Sequence, residues 1–254
     1  MKCGNPITGH PATPPGQPVI FSDFDGTITQ ADVIDQILNQ LASPAWRKIE
    51  AEWVAGRIGS RECLSRQLAL VNTTSRELRD LIDSIELDPH FRDFYRAVRR
   101  RRIPFYVVSD GLDYVIRRVM RNMGARQPLR NGLEFFSSEL SIRPEGLEIR
   151  FPHATAHCKH GCATCKPQII QKLRGESRPV VYIGDGLSDR FAAGVADVVL
   201  AKGRLLEFCR QQGIACTPFK TFRDVEEALL PPSANGRPAA HKASARRMAA
   251  LTTA

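Results

Sequence analysis

The chain lacks any long uninterrupted run of apolar residues. Its longest, Ile103 to Val108, is broken by Pro104 and falls far short of the roughly eighteen residues that a bilayer crossing demands. No membrane association is expected. The first residues also lack the continuous apolar stretch of a secretory signal, because Gly4, Pro6, Pro11, Pro14, Pro15 and Pro18 follow Lys2. Residues 1–16 read as a flexible leader, and seven cysteines without such a signal predict a reducing, cytoplasmic setting. Basic residues interleaved with aromatics are missing as well, so the net charge of +9 does not predict nucleic-acid binding. Much of that charge has a plainer origin. Arg237, Lys242, Arg246 and Arg247 lie in an Ala/Ser/Pro-rich tail, 231–254, of disordered composition, and Arg99 to Arg102 close a helix whose dipole they complement. A basic surface favours small phosphorylated metabolites as partners. No internal repeat is found, and no motif encodes an oligomeric state.

What is present points to an α/β fold. At 43% hydrophobic residues the chain can bury a real interior. Four short apolar segments run into polar residues and read as buried parallel strands: Pro18 to Asp23, Ile103 to Ser109, Val180 to Asp185 and Ala196 to Ala201. Helical patterns at Asp113 to Met123, Pro167 to Leu173 and Ser188 to Val195 alternate with them, as in a Rossmann-like doubly wound sheet. In such sheets ligands sit beyond the carboxyl ends of the strands, where Asp23, Ser109 and Asp185 fall. Residues 17–30 and 103–230 are thus the expected core. Between them, 31–102 carries helical periodicity alone: Val33, Ile34, Ile37, Leu38 and Leu41 share a face. Thr74 with Glu77 makes a capping box, and Asp88-Pro89 opens a helix bearing Phe91, Tyr95 and Val98. This predicts an inserted α-helical bundle, a cap able to close over the strand ends. Leu133 to Phe151 alternates around Pro144-Glu145-Gly146 and predicts a hairpin.

The chemistry concentrates in four segments. Asp23-Phe24-Asp25-Gly26-Thr27 puts two carboxylates at a strand end, which alone is equally an acidic turn. Ser109-Asp110-Gly111 offers a hydroxyl and main-chain amides suited to phosphate oxygens. Lys166, just before a Pro167-initiated helix, can neutralise a carboxylate and a phosphoryl group together. Asp185-Gly186-Leu187-Ser188-Asp189 adds two carboxylates of the kind that a hard cation requires.

In this order the four segments resemble those of the haloacid dehalogenase superfamily of phosphatases, from about Val19 to Leu230. The resemblance implies Mg²⁺ held by Asp23, by the main-chain carbonyl of Asp25 and by Asp185, with Asp189 in support. It further implies attack on phosphorus by Asp23, proton transfer by Asp25, and phosphoryl binding by Ser109, Asp110, Gly111 and Lys166. Half-protonation of Asp25 near neutral pH needs its pKa raised by about three units, roughly 4 kcal/mol of environment. Dehalogenases of the superfamily lack the second aspartate, so Asp25 argues for phosphoryl transfer.

Phosphoserine phosphatases are similar through the first segment and the start of the cap. An acidic residue meeting the substrate amine would fall there at Asp32, which can equally cap a helix. A second resemblance is to the bacterial 2-hydroxy-3-keto-5-methylthiopentenyl-1-phosphate phosphatases of methionine salvage. It is carried by Phe151-Pro152-His153, by Cys162-Ala163-Thr164-Cys165-Lys166-Pro167 and by Leu205-Leu206-Glu207-Phe208-Cys209-Arg210. Those enzymes tend to have Ser-Gly-Gly where this chain has Ser109-Asp110-Gly111, an additional carboxylate. Residues 153–165 hold three of six histidines and three of seven cysteines. His153, Cys158, Cys162 and Cys165 could ligate a structural Zn²⁺, or the cysteines could simply pack a loop. Two other readings stay open: a non-catalytic phospholigand or metal-binding module, and a phosphotransferase or mutase.

Overall fold

A computed structural model describes residues 16–230 except 125–131, 144–145 and 176–177. The leader up to residue 15, the basic tail 231–254 and the Pro144-Glu145 turn lie outside the described residues. The architecture is mixed α/β, with ten helices and a seven-stranded sheet among the described residues. The strands are β1 (Val19–Ser22), β2 (Phe105–Leu112), β3 (Glu134–Arg143), β4 (Gly146–Arg150), β5 (Val180–Gly184), β6 (Val198–Ala201) and β7 (Thr217–Pro218). They lie in the order β4-β3-β2-β1-β5-β6-β7, all parallel apart from β4, which pairs antiparallel with β3. The fully buried strands β1, β5 and β6 are near-continuous apolar runs, as burial on both faces requires.

One strand is longer than its sequence pattern suggests. The apolar run stops at Val108, yet β2 continues through Ser109-Asp110-Gly111 to Leu112, with a register shift against β3 between Val108 and Leu112. A bulge of this kind re-aims side chains at a sheet end, and here it carries the polar triplet. The pattern read as a helix at Ser188 to Val195 is a 3₁₀ turn over Leu187–Asp189 followed by one turn of α-helix.

Five helices connect β1 to β2: α1 (Val33–Leu41), α2 (Trp46–Val54), α3 (Ser60–Leu68), α4 (Ser75–Asp83) and α5 (Phe91–Arg100). The chain leaves and returns side by side, through an antiparallel bridge between Thr29 and Leu87 and a bond from the Gln30 N–H to the Glu86 carbonyl. Past this neck, α5 packs Phe91 and Phe94 against Phe105 of β2 and against Phe222 of the last helix, Phe222–Leu229. Among the described residues no helix is long and apolar enough to cross a membrane. After β2 come α6 (Asp113–Gly124) and, between β4 and β5, α7 (Lys166–Leu173); α9 (Gly203–Gln212) follows β6, counting the short helix Arg190–Ala193 as α8 and the last as α10.

Candidate active site

The order β2-β1-β5 makes Ser109, Asp23 and Asp185 neighbours at one end of the sheet, although they are far apart in sequence. The main-chain N–H of Asp23 donates to the carbonyl of Ile183 at 2.9 Å, which fixes the first segment beside β5. Gly26 takes a left-handed φ of 70°, and a Cβ there would lie 2.5 Å from Asp185 Oδ2, so only glycine lets this turn approach the second carboxylate. Thr27 completes the approach by donating its hydroxyl to Asp185 Oδ1 at 2.5 Å.

Lys166, at the start of α7 and 1% exposed, reaches between two carboxylates. Its Nζ lies 3.1 Å from Asp23 Oδ1 and 2.6 Å from Asp189 Oδ1. Burial alone would push this amine down, but Asp189 and Asp23 hold it well above the usual lysine range. Asp189 is itself saturated. Besides Lys166 it accepts the hydroxyl of Tyr182 on Oδ1, and on Oδ2 the main-chain N–H groups of Asp185 and Gly186, each at 3.0 Å.

Asp23 is different. Its Oδ1 faces the lysine but, buried as it is, makes no hydrogen bond. Burial and then the charge of Asp189 raise its pKa well above the ordinary carboxylate range. Burial lifts Asp185 to about 6, with Asp189 adding to the effect. Asp25 is pushed up to about 7 by burial, against the lowering bond from Ser109, whose hydroxyl stands 3.3 Å from Asp25 Oδ2. The main-chain N–H of Val33, in the first turn of α1, also acts to lower it. Carboxylates this crowded, facing Lys166 and with Lys202 beside Asp185, still lack positive charge. Oxygens of Asp23, Asp185 and Asp189 lie within 4.8 Å of one another, an all-oxygen set with one unbonded atom that fits a hard divalent cation such as Mg²⁺.

The structure spreads the other candidates more widely. The Gly111 N–H donates to Ser109 Oγ at 2.9 Å, so this amide is already engaged rather than open. Asp110 Oδ1 accepts the Thr164 N–H at 2.9 Å. Asp32 is the N-cap of α1, accepting the Asp35 N–H at 3.0 Å, and it also lines the cavity. Cys158 hydrogen-bonds Cys162 and Cys165, whereas the His153 ring stands edge-on to Phe136 with centroids 5.2 Å apart. Among the described residues the carboxylates form a compact ligand group, and the three cysteines with His153 do not.

A cavity of about 290 Å³ opens over these groups. Its outer wall comes from Ile34, Asp35, Glu50, Trp53 and Leu64 of the insertion and from Arg204 of α9. Glu50 accepts a bond from Gln67 at 3.0 Å and stands 4.0 Å from Arg204. Sequence reasoning passed over Tyr182, Ser60, Glu50 and Arg204. Tyr182 alone left a signal, as the one side chain with a hydroxyl in the strand Val180–Gly184.

Residues 20–193 match the family described as haloacid dehalogenase-like hydrolase. The chain is 35% identical over 216 residues to the 2-hydroxy-3-keto-5-methylthiopentenyl-1-phosphate phosphatase of Geobacillus kaustophilus, covering 84% of this chain and 96% of that one. The protein of the same name from Bacillus pumilus is 30% identical over 213 residues, covering 83% and 90%. A solved phosphoserine phosphatase with bound substrate superposes with a TM-score of 0.63 at 19% identity, over 84% of this chain and 98% of that one, a likeness of fold.

Proposed function

The chain belongs to the haloacid dehalogenase-like hydrolases and is a phosphoric monoester hydrolase; from that premise we propose that it is Mg²⁺-dependent, uses Asp23 as nucleophile, and acts on the methionine-salvage enol phosphate. The observation that carries this reading is the unbonded Oδ1 of Asp23, buried between Lys166 and the neighbouring carboxylates. Mg²⁺ would be held by Asp23, Asp185 and the main-chain carbonyl of Asp25, and it would supply charge neutralisation as the phosphoryl group approaches. Asp189, whose oxygens already accept four bonds, sets Lys166 and the Asp185-Gly186 turn instead of binding directly.

The protein's own groups then divide the work. Asp23 attacks phosphorus and becomes an aspartyl phosphate, while Lys166 and Ser109 hold phosphoryl oxygens. Asp25, with its pKa near 7, delivers a proton to the leaving oxygen and then takes one from the hydrolytic water. Because the group passes to water, inorganic phosphate is released without an acceptor sugar.

The outer cavity supports the choice of leaving group. Its walls combine the apolar Ile34, Trp53 and Leu64 with Asp35 and Glu50, and Arg204, the one outer cation among the described residues, already faces Glu50. Such a lining suits a neutral leaving group with an apolar tail and disfavours the carboxylate of phosphoserine. A reducing cytoplasm suits both this substrate and the free cysteines among the described residues. The test is phosphate release from the enol phosphate and from phosphoserine, each with Mg²⁺. We expect kcat/KM at least about tenfold higher for the enol phosphate, equivalent to about 1.4 kcal/mol. Preference for phosphoserine overturns the substrate assignment, and failure of beryllofluoride to bind at Asp23 overturns the nucleophile.

A further inference from the structure

Asp110 is an additional carboxylate next to the phosphoryl site, and the mechanism above gives its side chain no task. An anion there would repel the substrate unless it were engaged elsewhere. It is engaged. Its Oδ1 accepts the Thr164 N–H at 2.9 Å, and the nearby hydroxyl of Ser60, the first residue of α3, favours its charged form. The same Ser60 Oγ accepts the Ala163 N–H at 3.0 Å. The two chains also meet backbone to backbone. The Arg61 N–H donates to the Gly161 carbonyl at 3.0 Å, and a Cβ on Gly59 would lie 2.4 Å from that oxygen. The start of α3 is therefore pressed onto 161–164, the segment that leads into Lys166.

We propose that Asp110 is a positioning residue for Lys166, and that Ser60 completes the joint, so that Lys166 is held at Asp23 only while the start of α3 is docked. Three observations connect the parts. The Thr164 carbonyl accepts the Lys166 N–H at 2.8 Å, so the main chain of Lys166 is set from Thr164. Thr164 is 1% exposed and its hydroxyl has no partner, which leaves the bond to Asp110 as the outside tie on that residue. Ser60 lines the cavity, so a leaving group resting against α3 reaches Lys166 through the Ala163–Ser60 bond and the short segment that leads to the lysine. The role given to Lys166 rests on the phosphatase reading above.

The experiment compares Ser60→Ala, Asp110→Ala, Asp110→Asn and the Ser60→Ala/Asp110→Ala pair in the full chain. The first readout is p-nitrophenyl phosphate turnover with Mg²⁺. The second is hydrogen exchange of the 161–166 amides without substrate. Loss of a charge-assisted bond predicts that Asp110→Ala raises KM about tenfold and lowers kcat, with Asn restoring part of both. Ser60→Ala should cost about threefold, and the pair should be no worse than Asp110→Ala alone, because both break one joint. Exchange at Ala163 and Thr164 should quicken in each single variant while β5 stays protected. Kinetic constants of Asp110→Ala within about twofold of wild type, additive effects in the pair, or unchanged exchange at Thr164 would each overturn the joint. Wild type without turnover sinks the phosphatase reading instead, and the exchange data then decide the joint by themselves.

Discussion

The insertion between β1 and β2 has two halves that meet the rest of the protein differently. Its second half is fastened to the core by apolar and fully bonded contacts. Phe91 and Phe94 interlock with Phe105 and Phe222, and the buried Asp88 accepts both the His90 N–H at 2.9 Å and the Phe222 N–H at 3.2 Å, tying the starts of two helices together. On α4, Asp83 pairs with Arg118 of α6 and accepts Asn122 at 2.7 Å. The first half, α1 to α3, buries Val33, Ile37, Leu38, Leu64 and Leu68 in the same apolar cluster and adds polar points of its own: Ser60 at Ala163, and Glu50 opposite Arg204. The difference teaches that apolar burial holds both halves of the insertion, while the first half also brings polar groups to the strand ends. Stability and turnover should respond to different residues.

The sharpest test of that division is to delete one element from each side. Asp23→Asn should lower turnover of any phosphate ester by at least about 10⁴-fold, equivalent to about 5.5 kcal/mol of barrier, because the amide is a poor nucleophile. Its melting temperature should stay close to wild type, since a crowded buried charge is removed along with its contact to Lys166. Phe91→Ala should do the reverse. A fully buried aromatic lost from a core costs about 3–5 kcal/mol, read as a shift in the urea midpoint, with kcat nearly unchanged in the fraction that remains folded. Asp88→Ala should follow at about 2 kcal/mol, because two buried N–H groups lose their acceptor. Strong loss of kcat in Phe91→Ala at full stability would break the comparison.

The anchored half was also the more legible half in sequence. Apolar periodicity and Asp88-Pro89 marked α5 directly, and strand ends followed by acidic residues located Asp23 and Asp185. Such signals are local, and local chemistry produces them. The polar half was read less completely. Nothing in the sequence relates Ser60 to Asp110 or Glu50 to Arg204, because those pairs form only once the sheet order β2-β1-β5 and the neck at Thr29 and Leu87 have folded. The sequence offers Asp32 as a substrate contact or a helix cap, and the structure gives it the cap together with a place on the cavity wall. The bulge in β2 was invisible for a related reason: Ser109-Asp110-Gly111 has no strand propensity, and it is extended because β3 pairs beyond it at Leu112.

The carboxylate cluster makes the working end sensitive to pH where the aromatic flank is not. Asp25 and Asp185 titrate near 7 and 6, above their unfolded values, so each contributes stability at low pH and loses it as pH rises through those values. For metal-free protein we expect the melting temperature to drop by at least about 5 °C between pH 5 and pH 8, with about half of the drop complete by pH 6, because the unfolded carboxylates have already lost their protons near pH 4. Saturating Mg²⁺ should restore much of it at pH 8, because a ligand bound only to the folded state adds stability. In Phe91→Ala the pH-dependent drop should persist at its wild-type size on a lower baseline. A flat profile without metal would mean that the cluster is not charge-crowded.

The smallest effect is expected at Arg204 and is the most discriminating for the substrate. Its guanidinium lies 4.0 Å from Glu50 with nearly half of its side chain exposed, and such a pair is worth less than about 1 kcal/mol. Arg204→Ala should therefore leave the urea midpoint almost unmoved. It should nonetheless free Glu50, whose pKa burial already raises, and leave Asp35 and Glu50 as the charged groups of the outer wall among the described residues. Turnover of p-nitrophenyl phosphate, whose bound nitrophenyl ring has no carboxylate to pair with a guanidinium, should change by about twofold or less, whereas phosphoserine, whose leaving group carries a carboxylate beside its ammonium, should lose a further several-fold in kcat/KM. An equal loss for both esters would mean that Arg204 acts by holding the cap closed.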